Sequence, residues 1–101
     1  MVITYLRNSD VKQKNSTFVQ LEQVENYCNQ NNLKLDEIYI DKDLSGSKSD
    51  RGKYQEVIEL IKSGQVDTLI VLSLSRLSRS VKETCQVVEL MKNTNTNLIS
   101  L

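Results

Sequence analysis

Two short stretches carry the residues best suited to chemistry: Tyr5-Leu6-Arg7-Asn8-Ser9 and Ser75-Arg76-Leu77-Ser78-Arg79-Ser80. Each directly follows an apolar run. The first sets a hydroxyl beside a guanidinium, and the second carries two guanidiniums three residues apart. The chain has no histidine, which excludes a Ser-His-Asp arrangement for acyl transfer. A serine among arginines suits attack on a phosphodiester, where the charge to be stabilised lies on phosphate oxygens.

Ser9 is the candidate nucleophile, because a serine hydroxyl needs a neighbour that lowers its pKa or takes its proton. Arg7, two residues earlier on a strand, projects from the same side and could stabilise an alkoxide. Taken alone, Ser9 reads more readily as an ordinary loop serine after an edge arginine. Arg76 and Arg79 would point the same way if their turn is helical, and could then clamp one phosphate. A solvated basic patch is the other reading. Of the serines around them, Ser80 reads as a helix cap and Ser73 as the end of a strand.

The run Asp41-Lys42-Asp43-Leu44-Ser45-Gly46 matches the first half of a calcium loop, but the position that requires a bidentate glutamate is Gly52. The calcium reading fails there. Arg51, at the end of this Ser- and Gly-rich stretch, either swings in toward a site from a loop or is a plain surface residue. Gly-rich cradles of the Walker or dinucleotide type are missing from the sequence, which argues against an ATPase or a dehydrogenase. With no Cys/His cluster, no metal site is expected.

The elements that must position these residues follow from hydrophobic period. Val2 to Leu6 reads as a strand. Phe18, Leu21, Val24 and Cys28 mark the inner face of a helix over about 16–31. Leu35, Ile38 and Ile40 belong to a second strand ending at Asp41. Tyr54, Val57, Ile58 and Ile61 give a second helix that Gly64 stops. Thr68 to Leu72 is a continuous apolar run, as expected of a parallel strand covered on both faces. Ser80 and Glu83 have capping-box spacing, opening a third helix with Thr84, Cys85, Val88 and Met91 inward. Leu98 to Leu101 begins a fourth strand. The order βαβαβαβ predicts an α/β fold, three layers deep, with a mostly parallel sheet of at least four strands. The two arginine-bearing stretches and the 41–51 stretch all then fall at the carboxyl ends of strands, where open parallel sheets bind ligands.

At 101 residues, 39% hydrophobic and 26% charged, the composition is that of one globular domain. Lys plus Arg and Asp plus Glu both total 13. Affinity for nucleic acid must therefore be local or be supplied by another segment. Cys28 and Cys85 read as small buried hydrophobes in a reducing cytosol. Neither a signal peptide nor an apolar run of membrane-spanning length is present, so a cytoplasmic location is expected. Because the chain stops on an apolar strand, it reads as a fragment of a longer protein.

The spaced motifs, nearly end to end, resemble the catalytic domain of serine site-specific recombinases, the resolvase/invertase and large serine integrase group. The matching residues are Tyr5-x-Arg7-x-Ser9, then Ser16, Gln20 and Cys28. Asp41, Ser45-Gly46, Arg51 and Gly64-x-x-Asp67 follow, and Arg76-Leu77-Ser78-Arg79-Ser80 closes the set. The resemblance implies a resolvase-like sheet of flavodoxin-like order and a single catalytic domain over 1–101, cut before the oligomerisation helix and DNA-binding domain. It implies that Ser9 cleaves double-stranded DNA through a 5′-phosphoserine link, without cofactor, and that strands are exchanged in a tetramer assembled from dimers. Such proteins serve recombination and integration of mobile elements. Carried over by position, Arg7, Arg51, Arg76 and Arg79 would hold the scissile phosphate, with Gln20, Asp41 and Ser45 in support. Ser75 stands where the family commonly has aspartate. The alternative is a non-catalytic, recombinase-like interaction module. The 101 residues alone are expected to be inactive.

Overall fold

In a computed structural model the described residues are 1–8, 16–42, 52–77 and 80–101, with backbone only for Asn8, Ser16, Thr17, Lys42, Ser75 and Arg76. The elements are β1 (Val2–Asn8), α1 (Ser16–Gln30), β2 (Glu37–Lys42), α2 (Gly52–Lys62), β3 (Thr68–Val71), α3 (Leu74–Leu77), α4 (Val81–Asn93) and β4 (Asn97–Ser100). The strands form one sheet in the order β2-β1-β3-β4, and all three pairings are parallel. This is the expected α/β fold and strand order.

The chain moves from β1 out to β2, then back past β1 to β3. Right-handed crossovers place helices on opposite faces when the direction reverses. Accordingly, α1 covers one face, packing Val24 and Cys28 on Leu6 and Ile70. On the other face α2 and α4 pack Tyr54, Val57, Ile61, Val87 and Met91 against Ile3, Tyr5, Leu69 and Val71. The alternation along β1 explains the division: Ile3, Tyr5 and Arg7 face α2, while Thr4 and Leu6 face α1. Thr4 is completely buried, and its hydroxyl donates to the Ile70 carbonyl at 2.8 Å, adding a side-chain tie between β1 and β3. Among the described residues no helix is long and apolar enough to cross a membrane.

Three helices close in a similar way. Gly64 (φ +79°) follows α2, and Gln65 N–H and Gly64 N–H donate to the carbonyls of Leu60 and Ile61, the Schellman pattern. After α4, Asn95 (φ +56°) takes the glycine position, with Thr96 N–H and Asn95 N–H on Met91 and Lys92. After α1, Asn32 (φ +56°) does the same with Leu33 N–H on Cys28. Asparagine tolerates this left-handed conformation better than most residues with a Cβ. At the other end of α4, Ser80 is the expected cap: its Oγ accepts from Glu83 N–H at 3.1 Å.

Helix phase differs from the sequence expectation in two places. Phe18 is 69% exposed, and the inward position on α1 belongs to Gln20, followed by Val24 and Cys28. On α4 the inward residues are Val87 and Met91, whereas Cys85 and Val88 are exposed. Cys28 is the buried thiol, with a pKa pushed up by desolvation and secondarily by Glu25. Ser73 lies beyond β3, which ends at Val71. The turn after β3 contains the one-turn helix α3, anchored by Leu77, which is fully buried among the residues beneath α2 and α4.

Candidate functional site

β1 and β3 are neighbours whose outgoing connections leave in opposite directions. That arrangement opens a crevice at their carboxyl ends, the usual ligand position in this kind of sheet. β1 extends two residues further than the sequence suggests, so Arg7 and Asn8 belong to the strand. Arg7 sits half-buried on the α2 face, paired in register with Asp41 of β2. Two paired residues of parallel strands lie on the same face, so the guanidinium-bearing and carboxylate-bearing positions are side by side. α3, which carries Ser75 and Arg76, follows β3 and packs against the neighbouring β1 as well. Residues from the ends of three strands are thereby brought to one edge of the sheet.

Asp41 is extensively bonded at this edge. Its carboxylate is buried, with Oδ2 accepting the Tyr5 phenol at 2.7 Å and Tyr54 N–H at 2.9 Å, and Oδ1 accepting Lys53 N–H at 3.0 Å. Lys53 and Tyr54 lie in the first turn of α2, whose N–H groups have no partner within the helix. Asp41 thus caps α2 from another strand, an arrangement suited to the positive end of a helix. The Tyr5 and Tyr54 rings meet edge-on, centroids 5.7 Å apart. Spacing in the sequence offers no sign of this cap, because Asp41 and Tyr54 are thirteen residues apart. Only the helical apolar period of Tyr54, Val57, Ile58 and Ile61 marked Tyr54 as core.

Gln20 lies near the amino end of α1, hence toward the same edge. It is 5% exposed, and both its Oε1 and Nε2 are buried without a hydrogen-bond partner among the described residues. A polar group left in that state costs about 1–3 kcal/mol, so its presence at an inward position calls for a reason other than packing. Ser9, Ser45, Arg51 and Arg79 lie outside the described residues, and so do the side chains of Ser75 and Arg76. Of the expected site residues, the structure brings Arg7 and Asp41 together, sets Gln20 on the opposite face of the sheet near the same end, and packs α3, the element that includes Arg76, against β1. Among the described residues no group of three or more His, Cys, Asp or Glu could hold a metal ion.

Comparison with known proteins agrees with this architecture. Residues 2–101 match the family described as "Resolvase, N terminal domain", and the chain belongs to that family. It is similar to the N-terminal catalytic domain of TP901-1 integrase, with 30% identity and a TM-score of 0.85 over 99% of this chain and 76% of that one. It is also similar to a resolvase family site-specific recombinase from Streptococcus pneumoniae, with 27% identity and a TM-score of 0.84 over 98% of this chain and 70% of that one. The transposon Tn917 resolvase of Enterococcus faecalis is 33% identical over 67 residues, which are 66% of this chain and 35% of that protein.

Proposed function

We propose that this domain breaks and rejoins DNA in site-specific recombination, with Ser9 as the nucleophile. The observation that carries the reading is the convergence of Arg7 on β1 and of α3, bearing Arg76, on the switch-point crevice of a resolvase-family sheet. In the proposed step, the Ser9 Oγ attacks the scissile phosphorus and loses its proton, and the bond to the 3′ oxygen breaks. The product is a 5′-phosphoserine link plus a 3′-hydroxyl that has taken up a proton. Rejoining is the reverse attack by a 3′-hydroxyl from the exchanged strand, which regenerates Ser9. Because the phosphodiester energy is kept in the covalent link, no nucleotide or metal is needed to close the strand.

Arg7, Arg51, Arg76 and Arg79 neutralise the charge that builds on the phosphate oxygens. Such stabilisation is worth most where water is excluded. Asp41, Ser45 and Gln20 support the site, and Ser75 occupies the position where related domains carry aspartate. The partner is double-stranded DNA, with self-association to a dimer and tetramer for strand exchange.

The test uses nicked duplexes drawn from the DNA flanking the coding region, incubated with the longest chain that contains these residues. A denaturing gel should show a protein–DNA adduct, and peptide mass spectrometry should place the nucleotide on Ser9. Ser9→Ala should remove the adduct entirely. Persistence of the adduct in that variant would refute the nucleophile, and a wild-type chain that binds but never cleaves would favour the non-catalytic module.

A further inference from the structure

We infer that Tyr5, Asp41 and Tyr54 form a lock that sets the start of α2 against β1, and that Asp41 acts by position and not as the proton acceptor for Ser9. The inference rests on the recombination reading and concerns how the same site is held in shape. A carboxylate offers about four lone-pair positions, and three are committed here: to the Tyr5 phenol, Lys53 N–H and Tyr54 N–H. All three donors are internal to the fold, and Asp41 itself is 6% exposed. A group so engaged has little capacity left for a substrate proton.

Its geometry is suited to a different task. One carboxylate oxygen touches both β1, through Tyr5, and α2, through Tyr54, while the carboxylate belongs to β2. Three elements are therefore pinned at one point, and the Tyr5–Tyr54 ring contact adds a second point beneath it. Tyr5 shares its strand face with Arg7, two residues on, and Arg7 is the register partner of Asp41. At the other side of the lock, Gly52 opens α2, and residue 51 is joined to it by a single peptide bond. The lock thus fixes both the strand that carries Arg7 and the point from which residue 51 departs. Catalysis that depends on placing several cations round one phosphate is sensitive to shifts of about an ångström. Tyr54, which belongs to none of the sequence motifs, becomes a positioning residue on this view.

The experiment compares wild type, Tyr5→Phe and Asp41→Asn on nicked duplexes from the flanking DNA, in single turnover at saturating DNA, with thermal melting to establish the folded fraction. Tyr5→Phe keeps the ring and removes one hydrogen bond. It should slow adduct formation roughly tenfold with unchanged DNA affinity. Amide exchange at Lys53 and Tyr54, followed in the free protein, should accelerate in both variants. The pH profile of the cleavage rate should keep its wild-type shape in Asp41→Asn, with only its height reduced. Loss of the acid limb in Asp41→Asn would make Asp41 a proton acceptor and overturn the proposal. So would a wild-type cleavage rate in Tyr5→Phe, or unchanged exchange at the two amides. If wild type forms no adduct at all, the recombination reading fails by itself, while the exchange data still report on the lock.

Discussion

Gln20 shows how a polar side chain can hold an inward position that helix period passes over. Helix period assigned the inward stripe of α1 to Phe18, Leu21, Val24 and Cys28, because hydrophobic pattern counts only apolar residues. The structure places Gln20, Val24 and Cys28 inward, an i, i+4, i+8 stripe, and leaves Phe18 in solvent. Gln20 entered the sequence reading only through family resemblance. Among the described residues its carboxamide has no hydrogen-bond partner on either atom, so Gln20→Met, of similar length but without the amide, should raise the melting temperature or leave it unchanged. The same variant should lower adduct formation. A melting temperature that falls together with unchanged cleavage would mark Gln20 as purely structural. Spacing singled out Arg76 with Arg79, and Arg7 beside Ser9, while Arg51 joined them only through family resemblance; what surrounds Arg7 was not legible, since register between β1 and β2 is a long-range property.

At the scale of elements, the sequence disclosed type and order well and helix phase less well. α4 shows why. It carries two apolar stripes, Val81-Cys85-Val88 and Thr84-Val87-Met91, and period cannot choose between them. The choice is made by contact with α2 and β4, which buries Val87 and Met91 of the second stripe and leaves the first exposed. Local signals, by contrast, transferred directly. Ser80 caps α4 as its spacing with Glu83 predicts, and Gly64 closes α2 at a positive φ. Ser80→Ala should cost about 1 kcal/mol of stability, read as a lowered denaturation midpoint with an unchanged slope. The single turn α3 escaped sequence reading because four residues are too few to establish a period. It is held by tertiary burial of Leu77 instead.

For the whole molecule, the balance of 13 basic and 13 acidic groups limits what these residues do alone. Affinity for DNA depends on how many phosphates are neutralised and falls steeply with salt. The 101-residue chain should therefore bind a random duplex no tighter than about 10⁻⁶ M at physiological ionic strength, as read by fluorescence anisotropy. Submicromolar binding would show that these 101 residues suffice for DNA affinity without a basic excess. Arg7 stands at the carboxyl end of β1 whatever the net charge, so local charge and net charge make different statements about the molecule.

The edge-on contact between Tyr5 and Tyr54 has an optical consequence. The chain has four tyrosines and no tryptophan, and these two rings are the buried pair, coupled at a fixed angle of 67°. Their asymmetric environment should dominate the near-ultraviolet circular dichroism, so detachment of one helix from the sheet could be watched without any attached label. The molecule carries its own gauge at the spot where strand meets helix.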